Sequence, residues 1–130
     1  ATGLKLTKTI DYVVPETNTN DFVFEIKLSA DVKSTEISVT DANNQDKEYQ
    51  LLKNGQKVSE GDTIVVTLAN NETVYVTGLK AGTTYTITEH EHNSYVLESI
   101  TDQGSGTIEE YKIHDVVALN IEICYNIVAQ

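Results

Sequence analysis

The sequence predicts an all-β sandwich or barrel, and three observations support this fold class. No segment repeats its apolar residues at helical spacing, whereas several short segments alternate apolar and polar residues. Threonine and valine are abundant and the seven tyrosines outnumber the two phenylalanines, a composition typical of strands. Clusters of polar turn residues recur about every ten residues, the spacing expected of short antiparallel strands.

Length and charge exclude several classes of function. The chain has 130 residues, and we predict one domain over residues 1–130, large enough to bury a core. Twenty acidic against nine basic residues give a net charge of −11, which argues against nucleic acid and anionic membrane as partners. No apolar run approaches the ~20 residues of a membrane span. The chain has no methionine and no signal peptide, so we expect a mature or excised fragment of a larger protein.

Apolar–polar alternation predicts a series of strands. The clearest is Phe22–Leu28, in which the two phenylalanines, the isoleucine and the leucine fall on one face. An Asn-Gly pair at positions 54 and 55 predicts a tight turn. The other predicted strands are Leu4–Ile10, Thr35–Val39, Glu48–Leu52, Thr63–Leu68, Thr73–Thr77, Thr83–Glu89, Ser94–Thr101, Thr107–Ile113 and Val116–Val128.

A charged residue ends one apolar face in the middle of the chain. We expect Thr73–Thr77 and Thr83–Glu89 to pair through a glycine-containing turn at residues 78–82. Along the second of these strands, a tyrosine and an isoleucine share one face with Glu89, and threonines occupy the other. Glu89 is therefore predicted to point into the core, where a lone carboxylate is costly.

Two further polar side chains fall on predicted apolar faces near the chain ends. In the first strand, Lys8 shares a face with leucines and an isoleucine. In the last strand, Asn120 shares a face with Val116 and Ala118, whereas Asn126 shares one with Cys124. Because the first and last strands of a sandwich are often neighbours, a lysine, a glutamate and an asparagine are expected to meet in the core.

Such a meeting has two interpretations. The first is a buried Lys–Glu ion pair with an asparagine nearby. The second is covalent chemistry, because burial lowers the pKa of an amine and raises that of a carboxyl group. A neutral amine is a nucleophile, and a protonated carboxyl can polarise the asparagine carbonyl and relay protons. Attack on the carboxamide then releases ammonia and leaves a Lys–Asn isopeptide bond, in a dry core where water does not compete.

The chain resembles the isopeptide-forming domains of Gram-positive surface proteins. Three segments carry the resemblance: LKLTKTI at the start, DFVFEIKL after it, and GLKAGTTYTITE, which is similar to a family pattern G-L-x-A-G-T-x-Y-T-x-x-E. The similar families are the streptococcal-type major pilins and the collagen-adhesin B-type domains. The resemblance spans nearly the whole chain, and it implies an immunoglobulin-like β-sandwich of two packed, mostly antiparallel sheets.

The resemblance also implies roles for individual residues. Lys8 is the expected amine and Glu89 the expected catalytic acid. Asn126 is preferred as the acceptor, because its distance from Glu89 and from the chain end is similar to the family's, and Asn120 is the fallback. The family usually ends in a Val-Thr-Phe-Thr-Asn pattern, whereas this chain has Cys124 at the phenylalanine position.

These expectations define a function and an alternative. The first is a structural module of a pilus shaft or adhesin stalk on the cell wall of a Gram-positive bacterium, crosslinked once by its own residues and not an enzyme. Its expected partners are neighbouring domains or subunits of the same pilus or adhesin. The alternative is an adhesin module that binds a host protein or carbohydrate. His90 and His92 are expected to share the outer face of their strand, opposite Glu89. No cofactor or metal is predicted, because these two histidines lack a clear third ligand. Cys124 is interpreted as a buried thiol.

Overall fold

A computed structural model describes residues 1–11 and 22–122, and in them two β-sheets pack face to face. One short 3-10 helix, Thr101–Gly104, precedes the tenth strand. The described residues contain no helix that is long and apolar enough to cross a membrane. The strands are β1 (Gly3–Asp11), β2 (Phe22–Lys33), β3 (Ser38–Asp41), β4 (Gln50–Lys53), β5 (Gln56–Lys57), β6 (Glu60–Leu68), β7 (Thr73–Thr77), β8 (Thr84–Glu89), β9 (Tyr95–Ile100), β10 (Ser105–Thr107) and β11 (Ile113–Glu122).

The sheet order places the first and last strands side by side. The first sheet has the order β3-β7-β1-β11-β9, and the second has the order β10-β8-β2-β6-β4-β5. All pairings between these strands are antiparallel except that of β1 with β11, which is parallel. The expected all-β sandwich of mostly antiparallel sheets is confirmed, as is the expected contact between the first and last strands.

The core lies between the two sheets and follows the predicted faces. The inward residues of β2 are buried, and Leu4 and Leu6 of β1 are fully buried beside Lys8. In β11, Val116 and Ala118 are buried together with Asn120. Lys8 and Asn120 are the buried polar residues of this otherwise apolar core among the residues that the structure describes. Lys8 and Asn120 thus lie on faces that the alternation assigns to the core.

The prediction that β7 and β8 pair is wrong, because the two strands lie in different sheets. Gly78 and Gly82 adopt positive φ values of 83° and 90°, a conformation that side-chain-bearing residues adopt only under strain. Leu79, between them, is buried. The connection therefore carries the chain across the core from one sheet to the other. It places Glu89 on the sheet opposite Lys8.

Several strand boundaries also differ from the predictions, among them those of β3 and β10. The predicted strand Thr35–Val39 begins later, at Ser38, because a hydrogen bond from the Glu36 amide to the Lys33 carbonyl closes a turn there. A strand was predicted at Thr107–Ile113, whereas β10 spans Ser105–Thr107 and so ends at the first residue of the predicted range. Beyond it, Tyr111 has a φ of 60°, which is incompatible with extended backbone.

Candidate functional site

The site is built from three strands that converge on the core. Lys8 extends inward from β1, and Asn120 extends from the neighbouring β11, where the parallel register places Ile10 opposite it. Glu89 is the last residue of β8, and its register partner on β2 is Phe24. Lys8 and Asn120 are fully buried, and the Glu89 side chain is 3% exposed. The fold thus joins polar groups that are distant in sequence.

The three side chains are in mutual contact, with the carboxamide of Asn120 in the middle. The Lys8 ammonium donates a short hydrogen bond to Oδ1 of Asn120. Nδ2 of Asn120 donates to Oε1 of Glu89 at 2.6 Å. Nζ of Lys8 lies 3.8 Å from Oε2 of Glu89. An amine, a carboxamide and a carboxyl group are therefore assembled, and we call these three residues the triad.

The Lys8 ammonium is surrounded by hydrogen-bond acceptors, yet burial lowers its pKa. Besides Asn120, its ammonium donates to the Thr9 carbonyl at 2.6 Å and to the Ala118 carbonyl at 3.4 Å. Burial nevertheless lowers the pKa of Lys8 from 10.5 to about 8, while the charge and hydrogen-bonding capacity of Glu89 oppose that shift. The amine is therefore much easier to deprotonate than an exposed lysine.

The two carboxyl oxygens of Glu89 differ in their hydrogen bonding. Oε1 accepts a hydrogen bond from Nδ2 of Asn120. Oε2 is buried and has no hydrogen-bond partner among the described residues. A buried acceptor without a partner is costly, and the nearby Lys8 ammonium is a proton source for it. The sequence-based expectation had the carboxyl donating to the asparagine carbonyl, whereas here it contacts the amide nitrogen.

The walls of the triad are apolar and aromatic. The Lys8 ammonium lies over the ring of Phe22, 4.5 Å from the ring centre. Phe22 stacks on His92 with the ring centres 4.5 Å apart, and Tyr95 contacts both rings. The alternation of β2 identified Phe22 as a core residue but gave no reason to place His92 here. The expectation that His92 shares the outer face with His90 is wrong, because β8 ends at Glu89 and the alternation does not continue to His92.

The structure describes only one of the two asparagines predicted as candidates for attack by the lysine. Asn120, the fallback, contacts both Lys8 and Glu89. Asn126, the preferred acceptor, lies outside the described residues, as does Cys124. The inward position of Asn120 follows from its alternation with Val116 and Ala118, a signal in the sequence that the comparison with the family pattern outweighed.

Other charged groups form no comparable site in the part of the chain that the structure describes. His90 is exposed and pairs with Glu25 on the outer face at 2.5 Å. His114 lies 3.0 Å from Glu109. Within residues 1–11 and 22–122, no group of three or more histidine, cysteine or acidic side chains is placed to hold a metal ion.

A sequence model of the domain of unknown function DUF7601 matches residues 2–122. The chain belongs to this family. The match covers β1, β8 and β11, the strands that carry the triad. A search of curated protein sequences finds no significant match.

Solved structures with a similar fold come from pilus proteins. The pilus-presented adhesin Spy0125 (Cpa) has a TM-score of 0.61 and 19% identity over 92% of this chain and 27% of its own. A second structure of that adhesin has a TM-score of 0.57 and 19% identity over 92% of this chain and 26% of its own. The major pilin T3.2 from Streptococcus pyogenes serotype GAS13637 has a TM-score of 0.48 and 21% identity over 94% of this chain and 45% of its own. The chain thus spans between about a quarter and a half of these chains. The similarity to the adhesin confirms the predicted resemblance to pilus proteins at the level of the fold.

Proposed function

We propose that this DUF7601 domain is a structural module of a Gram-positive pilus shaft or adhesin stalk, crosslinked by an isopeptide bond between Lys8 and Asn120. The observation that carries the proposal is the triad itself, in which the only lysine of the described core touches the carboxamide that touches a buried carboxyl group. The bond forms once per molecule, so the domain turns over no substrate.

The chemistry uses only groups of the triad. A proton passes from the Lys8 ammonium to the unpartnered Oε2 of Glu89, 3.8 Å away, after a small closing movement. The neutral amine attacks Cγ of Asn120 and forms the new C–N bond. The C–Nδ2 bond breaks as Glu89, already in contact with Nδ2, gives its proton to that nitrogen and takes up the proton that the former amine nitrogen loses, so that ammonia leaves and Glu89 ends protonated. The products are one amide bond and one ammonia molecule.

The alternative interpretation, a permanent ion pair, explains the same contacts less well. A buried ion pair is stable only when further hydrogen bonds satisfy its charges. Here Lys8 and Glu89 are separated by 3.8 Å, and Oε2 of Glu89 has no hydrogen-bond partner among the described residues. The covalent product contains a neutral amide in place of the ammonium and the carboxamide, so it removes a buried charge.

The proposal is tested by following the intact mass during refolding of chain recovered unfolded and unlinked from inclusion bodies. We expect the wild-type mass to fall by one ammonia after folding. Glu89→Gln should fold and keep the full sequence mass, because it retains the hydrogen-bonding shape but lacks the acid. Glu25→Gln is the matched control, since Glu25 lies on the outer face of the adjacent strand. A folded wild type of unchanged mass contradicts the proposal.

The reaction rate should fall above about pH 8. A neutral amine with a protonated carboxyl contains the same number of protons as an ammonium with a carboxylate, so the reactive state needs one proton on the pair Lys8 and Glu89. Since burial lowers the pKa of Lys8 to about 8, that proton is lost above this pH and the acid disappears with it. The refolding assay between about pH 6 and pH 10 measures this dependence. A rate that keeps rising with pH would show that the amine reacts without Glu89 as its acid.

The setting of the module is part of the same proposal. The adhesin of similar fold is described as pilus-presented, which supports a place on the cell wall with neighbouring domains or subunits as partners. A net charge of −11 favours a well-solvated surface module. Recognition of a host protein or carbohydrate stays a prediction, which binding to a glycan or matrix-protein array would test.

A further inference from the structure

Three aromatic rings lie between the Lys8 amine and a recess on the surface. The recess has a volume of about 330 Å³ and is lined by the loop after β8 and the first residues of β9, including Glu89, His92 and Tyr95. Phe22 lies behind it, 1% exposed. We call Phe22, His92 and Tyr95 the aromatic seal.

The aromatic seal is continuous from the reacting amine to the recess. The Lys8 ammonium lies 4.5 Å from the centre of the Phe22 ring. The same ring stacks on His92 at 4.5 Å and contacts Tyr95 at 5.7 Å, and the centres of His92 and Tyr95 are 5.3 Å apart. Each ring therefore touches the other two, which leaves His92 and Tyr95 facing the recess and Phe22 facing the triad.

Glu89 connects the two compartments, since it belongs both to the triad and to the lining of the recess. Its side chain is only 3% exposed, so the rings and not the acid keep solvent out. Water that reached Glu89 would find a carboxamide already held against an acid, which is the arrangement needed for hydrolysis.

We propose that the aromatic seal decides which nucleophile attacks Asn120. This inference rests on the proposed crosslinking function. With the seal intact, the amine attacks, the C–N bond forms, the C–Nδ2 bond breaks and ammonia leaves. With the seal open, water attacks, a C–O bond forms, the same C–Nδ2 bond breaks and ammonia leaves, so that position 120 carries a carboxylic acid. Tyr95, at the rim, is a specificity-determining residue for this choice.

The experiment is the refolding assay in water enriched in the heavy oxygen isotope. Aminolysis keeps the original carboxamide oxygen, so isotope at position 120 reports hydrolysis even if the acid later condenses with Lys8. We expect Tyr95→Ala to raise the labelled fraction at least about tenfold above wild type. Tyr95→Phe keeps the ring and should match wild type. Tyr75→Ala is the control, because Tyr75 lies on β7, paired with β1 on the side away from β11.

The outcomes separate this inference from the proposed function. A wild type that folds without losing ammonia contradicts the crosslink itself. A crosslinked wild type together with a crosslinked, unlabelled Tyr95→Ala refutes the seal and leaves the crosslink standing. If Tyr95→Ala does not fold, His92→Ala removes the ring stacked on Phe22 and tests the same wall, with the same label expected and its absence refuting the seal.

Discussion

Asn120→Ala is expected to lower the free energy of unfolding by at least about 5 kcal/mol, because the bond that it removes closes almost the whole chain into one loop. Lys8 and Asn120 are 112 positions apart. In the chain-entropy treatment used for disulfides, a crosslink of that span stabilises by about 5 kcal/mol. For a chain of this length the corresponding fall in Tm is about 15–25 °C, measurable by calorimetry.

Two further variants separate the crosslink from the local contacts. Asn120→Ala also leaves the charges of Lys8 and Glu89 without the carboxamide between them. The double variant Lys8→Met with Glu89→Gln removes both charges and the bond together, so its loss of stability measures the crosslink more closely. Asn126→Ala should retain the wild-type Tm. An Asn120→Ala protein that melts within a few degrees of wild type would contradict a bond at that residue.

A single molecule stretched from its two ends should extend very differently with and without the bond. With the proposed bond in place, tension entering the wild type through β1 is expected to cross from Lys8 to Asn120 and to leave through the end of β11. The roughly 110 residues between them should then carry no load. In Asn120→Ala those residues unravel and add about 350–400 Å of chain, at 3.3–3.6 Å per extended residue.

The matched control is again Asn126→Ala, which should not release this additional length of chain. The parallel pairing of β1 with β11 places the two linked residues close to the same end of both strands. The bond therefore acts in line with the strands when the ends are pulled apart. A wild-type molecule that releases the same length of chain as Asn120→Ala would show that the load passes through the strands and not through a covalent bond.

The strands that build the site were accessible from the sequence because alternation has a period of two residues and needs no knowledge of distant partners. The faces of β1, β2 and β8 were predicted correctly, and with them the inward positions of Lys8 and Glu89. The prediction that β7 pairs with β8 was wrong, because a glycine turn is compatible with both a hairpin and a crossing between sheets. Only the packing of Leu79 into the core decides between them.

The acceptor shows how a family pattern and a residue-level argument compete. Alternation in β11 placed Asn120 beside Val116 and Ala118, and the structure buries all three. The family pattern favoured Asn126, which lies beyond Glu122, the last described residue. The place of His92 was predicted wrongly, because the alternation was continued past Glu89, where β8 ends. The position of its ring depends on how the loop after β8 folds back on Phe22.

A tryptic peptide map of the folded, then denatured, wild-type protein tests the Lys8–Asn120 bond most directly. Trypsin cleaves after Lys5, Lys27 and Lys112 but not after a lysine whose amine is in an amide bond. We predict one branched product that joins residues 6–27 to residues 113–130, with fragmentation placing the branch between Lys8 and Asn120. Separate linear peptides cut after Lys8, or a branch at Asn126, would contradict it.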